Sequence, residues 1–265
     1  MTEPHSKQFL TDDRDQWWSD EQLRSIAARL DLASVTAAAD IGCGQGHWTR
    51  SVASLLPAPA SLVGIDREQA WVDIARQRGG ARYDVGSAEE LPFADGSLDL
   101  VTAQTLLIHV ADPARVLREM SRVLKPGGRL WLVEPNNLAA TPTSFADPSI
   151  DPELLVAAFR LEAICERGKH ALGGGYNSLG EQLVHLLEGW RDVSVSLCDR
   201  VVPFDEPAPD DIVTWPRAET LRYWLAGGGT EAAFEATWSA ARTLVTKHRR
   251  GACGVLLYAY TARKA

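Results

Sequence analysis

The chain has 265 residues, 45% of them hydrophobic and 23% charged, with 27 Lys+Arg against 35 Asp+Glu for a formal charge of −8. That apolar share supports a core and excludes wholesale disorder, and a net-acidic chain lacks the electrostatic footprint of a nucleic-acid binder. Cys43, Cys165, Cys198 and Cys253 are dispersed with no CxxC pair, which argues against zinc and against a disulfide framework. No apolar run approaches the roughly 20 residues that span a bilayer, and the polar start MTEPHSKQFLTDDRDQWW lacks the apolar region of a secretory signal. The expectation is a reduced cytoplasmic protein without membrane or nucleic-acid partners.

In chain order, Ser19 and Gln22 form a capping box for a helix over 19–31, with Leu23, Ile26, Ala27 and Leu30 on one face. A strand of small residues, Thr36–Ile41, runs into a glycine-rich turn, and Thr49–Leu56 reads as a helix stopped by Pro57. Ser61–Ile65 is a buried strand, Glu68–Arg78 a helix with Trp71, Ile74 and Ala75 inward, and Gly79-Gly80 its end. Ala81–Val85 and Leu98–Ala103 are further strands. Asp112 and Pro113 fit the N-cap and N1 positions of a helix striped with Val116, Leu117, Met120, Val123 and Leu124. Lys125-Pro126-Gly127-Gly128 breaks it before a fifth strand, Arg129–Val133. Strands alternating with amphipathic helices predict a parallel sheet covered on both faces.

Asp151-Pro152 starts a helix through about Glu166, followed by the loop GKHALGGGYN; Ser178 and Glu181 form another capping box for a helix closed by Gly189. Val193–Val202 reads as a strand, 205–251 as Pro-rich acidic loop and then helix, notably 231–249, and Val255–Thr261 as a last strand. Segments 137–178 and 205–251 therefore look like helical cap insertions into one domain spanning 1–265, whose core is about 19–136, 179–204 and 252–265.

The turn Asp40-Ile41-Gly42-Cys43-Gly44-Gln45-Gly46 carries three glycines at alternate positions, more than an ordinary strand-to-helix turn needs. A dinucleotide fingerprint requires a glycine at the position held by His47, so that pattern fails. Asp40 would repel a pyrophosphate and suits a cation or a polar, phosphate-free group, which favours a positively charged cofactor. Asp66, 20 residues beyond Gly46, is placed either to accept hydrogen bonds from ribose hydroxyls or to cap the helix that follows, or both.

The runs DIGCGQG, VGID, GSAEELPFADGSLDLV and HVADPARVLREMSRVLKPGGRLWLVEP, in this order over about 36–135, closely resemble class I S-adenosylmethionine-dependent methyltransferases. The nearest branch resembles the small-molecule enzymes related to ubiquinone and menaquinone biosynthesis. The resemblance implies a Rossmann-like seven-stranded sheet, mostly parallel with an antiparallel last strand, with helices on both faces. It implies that Gly42, Gly44 and Gly46 approach the methionine part of the cofactor, with Asp40 near its amino group. Asp66, with Arg67 beside it, holds the ribose, and Gly86-Ser87-Ala88-Glu89 lines the adenine. Ser87 stands where the family often has Asp, so the contact to the adenine amine departs from the pattern. Gln104 and Thr105 would sit below the methionine and sulfonium.

Methyl transfer from a sulfonium is an in-line displacement driven mainly by alignment and exclusion of water, with a base useful for hydroxyl acceptors. His109 is the candidate base, or else a packing residue at the start of the Asp112 helix; Glu134, with Asn137 beside it, either orients an acceptor or binds backbone near the turn. The loop 169–177 offers His170 and Tyr176 as polar groups on a mobile cover, or is a plain flexible connection. Trp17 and Trp18 suggest a lid against the cofactor, and Trp215, Tyr223 and Trp224 an aromatic pocket, although any single Trp reads more readily as core. Lys247-His248-Arg249-Arg250 reads as a solvated helix end. The expectation is a methyltransferase using S-adenosylmethionine and no metal, acting as monomer or homodimer on a small natural-product or quinone-like acceptor at O, N or C. Rival readings are another sulfonium-dependent reaction on the same scaffold, or a non-catalytic cofactor-binding regulator.

Overall fold

The computed structural model describes residues 17–138, 148–176, 178–179, 182–197, 217–248 and 257–265. Expectations that fall on Asn177, Glu181, Cys198, Trp215, Cys253, the strand end 198–202, the loop 205–216 and the basic residues Arg249 and Arg250 lie outside the described residues. Seven strands form one sheet: β1 (Ala37–Ile41), β2 (Ser61–Asp66), β3 (Arg82–Val85), β4 (Leu98–Gln104), β5 (Leu124–Pro135), β6 (Arg191–Leu197) and β7 (Leu257–Arg263). Their order is β3-β2-β1-β4-β5-β7-β6. The first five are parallel, and β7 runs antiparallel to both β5 and β6, so the expected doubly covered, Rossmann-like sheet is what forms. β1 sits centrally between β2 and β4, where its run of alanines is buried on both faces and lets helices lie close above and below.

The helices of the first half begin where their side chains supply caps. For α1 (Asp20–Arg29), Ser19 Oγ accepts from Gln22 N at 3.1 Å. The Gln22 amide donates in turn to Leu197 O at the end of β6. α2 (His47–Ala53) starts two residues earlier than expected, directly from Gly46 at φ 80. α3 (Gln69–Arg78) follows β2, and α4 (Pro113–Val123) carries Asp112 at its N-cap, accepting from Arg115 N at 2.9 Å, with Pro113 in its first turn. The Lys-Pro-Gly-Gly breaker does not delay β5. The chain passes from α4 straight into the strand, and the extra residues are absorbed as an irregularity between the pairs Leu98–Leu124 and Leu100–Arg129.

One face of the sheet packs against α4 and the segment with α6 (Leu183–Leu186) through Val116, Leu117, Met120, Leu179 and Leu183. The other packs against α1 and α2 through Trp18, Ile26, Leu30, Trp48, Val52 and Trp131. Trp18 is therefore core, not lid. Its ring lies 5.6 Å from Trp48, which meets Trp131 edge-on at 4.7 Å. Removing the fully buried Trp131 side chain would cost about 3–5 kcal/mol.

The second half builds a separate helical cluster. α5 (Pro152–Ala171) is a full turn longer than the sequence suggests, so Gly168, Lys169 and His170 are helical. α7 (Arg217–Ala226), which the sequence did not reveal, and α8 (Glu231–His248) pack on it through Leu161, Cys165, Tyr223, Trp224, Phe234 and Trp238. Trp224 faces this cluster's own core, its indole donating to Thr230 O at 2.8 Å. Among the described residues no helix is long and apolar enough to cross a membrane.

Two carboxylates tie loops to this frame. Asp99 accepts from Thr36 N (3.0 Å), Thr36 Oγ1 (2.7 Å), Ala37 N (3.0 Å) and Lys125 Nζ (2.6 Å). Burial alone would raise its pKa, but the Lys125 ammonium and the Thr36 and Ala37 donors hold it well below the ordinary range. Glu119 is bound by the Arg122 guanidinium and by Leu91 N, and its pKa falls to about 2. Both carboxyls are lowered, so their stabilisation is complete above roughly pH 5 and is lost as pH falls toward about 2. Asp99→Ala should cost about 1–3 kcal/mol at neutral pH and lose less further stability on acidification than the parent. Urea melts across that window check this, and parallel pH slopes for the two proteins would refute it.

Candidate functional site

In a sheet ordered this way the chain reverses direction of winding between β1 and β4, and the loops beyond their C-terminal ends part to leave a crevice. The turn after β1 forms its floor. Gly42 and Cys43 donate to Ile65 O at 2.7 and 3.0 Å, and Gly46 N to Cys43 O at 2.8 Å. Gly42, Gly44 and Gly46 all have positive φ (72, 51 and 80°), which explains the alternate glycines. The third has a second reason: a Cβ on Gly46 would stand 2.6 Å from the Tyr83 hydroxyl.

Asp66 closes β2. Its Oδ2 accepts from Gly44 N and its Oδ1 from Glu68 N, each at 2.9 Å, so one carboxylate joins the glycine turn to the start of α3. Burial raises its pKa against the pull of these two bonds. Asp40 is fully buried. Thr49 Oγ1 donates to its Oδ2 at 2.5 Å, its Oδ1 has no hydrogen-bond partner among the described residues, and burial pushes its pKa up to about 7.

After β3, Ser87 Oγ accepts from Glu89 N at 3.1 Å and Glu89 pairs with Arg115 at 3.2 Å. At the end of β4, Gln104 is buried with its Nε2 lacking a hydrogen-bond partner among the described residues. Thr105 adopts φ 52, a conformation that costs a β-branched residue on the order of 1–3 kcal/mol. A single 3₁₀ turn, Leu107–His109, follows. Glu134, from β5, reaches beneath it: its Oε1 accepts from Leu106 N (2.9 Å) and Leu107 N (2.7 Å).

Together these segments and the helical cluster enclose a cavity of about 400 Å³, a size suited to a small organic ligand. It brings together Gly42, Gly44, Asp66, Arg67, Ser87, Ala88, Glu89, Gln104, Thr105 and His109, as the sequence suggested. Four expected site residues are not on its wall. Asp40 lies beneath the turn and Gly46 accommodates Tyr83; Glu134 is spent on backbone amides, and Tyr176 packs on the core with its ring stacked 4.9 Å from His170. The three glycines after α5, Gly173, Gly174 and Gly175, border the cavity, and at Gly175 the chain lies close to the His109 turn, where a Cβ would stand 2.5 Å from Ile108 O.

Of the residues expected to form an aromatic pocket, Tyr223 is on the wall, whereas sequence reasoning missed Trp48, Glu68, Trp71 and Lys169 there. Trp48 is fixed by its indole donating to Thr102 Oγ1 at 2.7 Å, a hydroxyl that donates in turn to Trp131 O at 2.8 Å. Trp71 Nε1, like Gln104 Nε2, is buried without a hydrogen-bond partner among the described residues.

Residues 39–132 match the family model for a methyltransferase domain. The chain is 36% identical over 155 residues to a ubiquinone biosynthesis O-methyltransferase of Xanthomonas oryzae pv. oryzae, covering 56% of this chain and 59% of that protein. It is 37% identical over 118 residues to a demethylmenaquinone methyltransferase of Lactiplantibacillus plantarum, covering 42% and 50%. The matches thus span less than two thirds of the length of either relative. Among solved structures, a methyltransferase-like protein of Bacillus halodurans C-125 superposes with a TM-score of 0.52 at 18% identity, covering 91% of this chain and 99% of that one, a likeness of fold.

Gly46 tests the packing of the turn, since its φ of 80° is left-handed and an added Cβ would stand 2.6 Å from the Tyr83 hydroxyl. Gly46→Ala should cost about 1–3 kcal/mol in thermal or urea melts, and less in a Tyr83→Phe background that removes the contacting oxygen. Equal losses in the two backgrounds would show that the hydroxyl yields freely.

Proposed function

Because residues 39–132 match a methyltransferase-domain family model, we propose that the chain is a class I methyltransferase that binds S-adenosylmethionine in the crevice between β1 and β4 and transfers its methyl group to a small acceptor. A natural-product or quinone-like metabolite is the acceptor class most in keeping with the relatives. The observation that carries this reading is the Asp66 clamp on Gly44, beside a buried Gln104 amide and Trp71 indole whose donors lack protein partners among the described residues. Buried donors of this kind cost free energy unless a ligand satisfies them.

The residues present suit that cofactor. Each oxygen of Asp66 already accepts one backbone N–H and keeps acceptor capacity for ribose hydroxyls. Arg67 lies beside it, and Gly86, Ser87, Ala88 and Glu89 border the adenine end, Ser87 lacking the carboxylate that the family often places there. Gly42, Gly44, Gln104 and Thr105 border the methionine end. Asp66, Glu68 and Glu89 give the wall an acidic character that favours a cationic ligand. Asp40 acts from below the turn through its field, not by contact.

When bound, S-adenosylmethionine supplies an electrophilic methyl carbon on a positively charged sulfur. The chain's own contribution is alignment and exclusion of water: Thr105 is held in a strained conformation by its N–H to Val133 O at 2.7 Å, and α5 and α7 supply the outer wall. His109 faces the cavity on a turn that Glu134 anchors, placed to take a proton from an acceptor hydroxyl. Glu134 is a positioning residue in this scheme, and Tyr176 has no part in it.

Calorimetry with S-adenosylhomocysteine tests the binding half. The parent should bind it and not NAD, and Asp66→Ala should weaken binding roughly 10- to 100-fold, the loss expected for charged hydrogen bonds. Unaltered affinity would remove Asp66 from the ribose site. An acceptor screen read by mass spectrometry tests the chemistry: His109→Ala should slow methyl gain by roughly 100-fold or more while affinity for S-adenosylhomocysteine stays put. A variant as fast as the parent would retire the base.

A further inference from the structure

The floor of the crevice hides an acid that the surrounding protein does not balance. Asp40, the fourth residue of β1, is fully buried beneath the glycine turn and off the cavity wall. Thr49 Oγ1, from α2, donates to its Oδ2 at 2.5 Å, and its Oδ1 has no hydrogen-bond partner among the described residues. The other titratable groups that face it are Cys43 from the turn, Asp66 from the end of β2 and Tyr83 from β3. Cys43 and Tyr83 are pushed up, first by burial and then by the field of Asp40, so neither loses its proton near neutrality. Asp66 is a second acid. The Arg50 guanidinium acts on Tyr83, but among the described residues no basic side chain pairs with Asp40 or pulls its pKa down.

Desolvation and the like charge of Asp66 oppose ionisation of this carboxyl, and one hydroxyl bond favours it. The balance sets its pKa at about 7, so near neutral pH Asp40 is divided between acid and carboxylate. Only the carboxylate gains from a positive charge brought over the turn. A cation above the glycines and a proton on Asp40 therefore compete.

We infer that Asp40 is a proton-linked specificity residue: seating the cationic cofactor over the glycine turn drives a proton off Asp40, so the crevice selects positively charged occupants. The carboxyl O–H bond breaks, its proton passes to the buffer, and no other bond changes. This rests on the reading of the crevice as an S-adenosylmethionine site and adds to it a change of protonation and a preference for charge. The liganded chain binds fewer protons than the free one, so affinity rises with pH up to about 7 and levels off above it.

Calorimetry of the full chain at pH 7, in buffers of different ionisation enthalpy, counts the proton directly. The probes are S-adenosylmethionine, with no acceptor present, and 5′-methylthioadenosine, which keeps the adenosine but lacks the sulfonium and the amino-acid part. Both place a ribose at Asp66, so a proton released from that residue appears with either. S-adenosylmethionine should release about half a proton per site and 5′-methylthioadenosine close to none, and affinity for the former should fall roughly fivefold from pH 7 to pH 6. Asp40→Asn should remove the release. Thr49→Val, which deletes the one bond that favours the carboxylate, should raise it above the parent's, and decides the matter if Asp40→Asn does not fold. No release with S-adenosylmethionine, equal release with both probes, or unchanged release in Thr49→Val overturns the proposal. Failure of S-adenosylmethionine to bind at all counts instead against the methyltransferase reading.

Discussion

The site depends on one carboxylate shared between two backbone segments. Asp66 accepts from Gly44 on one side and Glu68 on the other, so the loop leaving β1 and the first turn toward α3 cannot move apart without losing a charge-assisted bond. The three positive-φ glycines make that geometry reachable, and Tyr83 filling the space beside Gly46 makes it the packed one. A buried Asp40 beneath the same loop, its pKa raised to about 7, gives the region a second acidic group whose charge is sensitive to what lies above it. Burying two acids so close together is costly, and a cationic ligand offsets that cost.

A second carboxylate organises the other half. Glu134 leaves β5 to hold the amides of Leu106 and Leu107, which sets the turn that presents His109. Against that turn stands the Lys169 side chain, brought in by α5 from a helical cluster with its own apolar core. The cavity residues from Gly42 to Val110 therefore come from the part of the chain that matches the methyltransferase-domain model, residues 39–132, whereas Lys169, Gly173, Gly174, Gly175 and Tyr223 lie outside it.

The sheet was legible because its signals are local and repeated. Apolar runs alternate with amphipathic helices, Asp112-Pro113 caps α4 as its residue types require, and the glycine turn lies where the sheet order reverses. What stayed hidden depended on contacts between distant segments. Gly168 inside α5 reads as a helix end, yet it is there because Tyr223 of α7 leaves no room for a side chain. α7 follows a proline-rich stretch and shows only a weak apolar stripe, so its burial against α5 and α8 had no periodic trace. Glu134 and Tyr176 carried the right chemistry at the right sequence positions. Whether such a residue faces a ligand or a backbone amide is decided by a neighbour about 28 residues away in one case and by the packing core in the other.

The row of indoles from Trp18 through Trp48 to Trp131 joins the crevice to the deepest layer of the protein. Trp48 is at once part of the cavity wall and a partner of a ring that water does not reach. A side chain that borders the crevice thus bears directly on a ring in the interior, so a substitution at Trp48 would disturb cavity wall and core together.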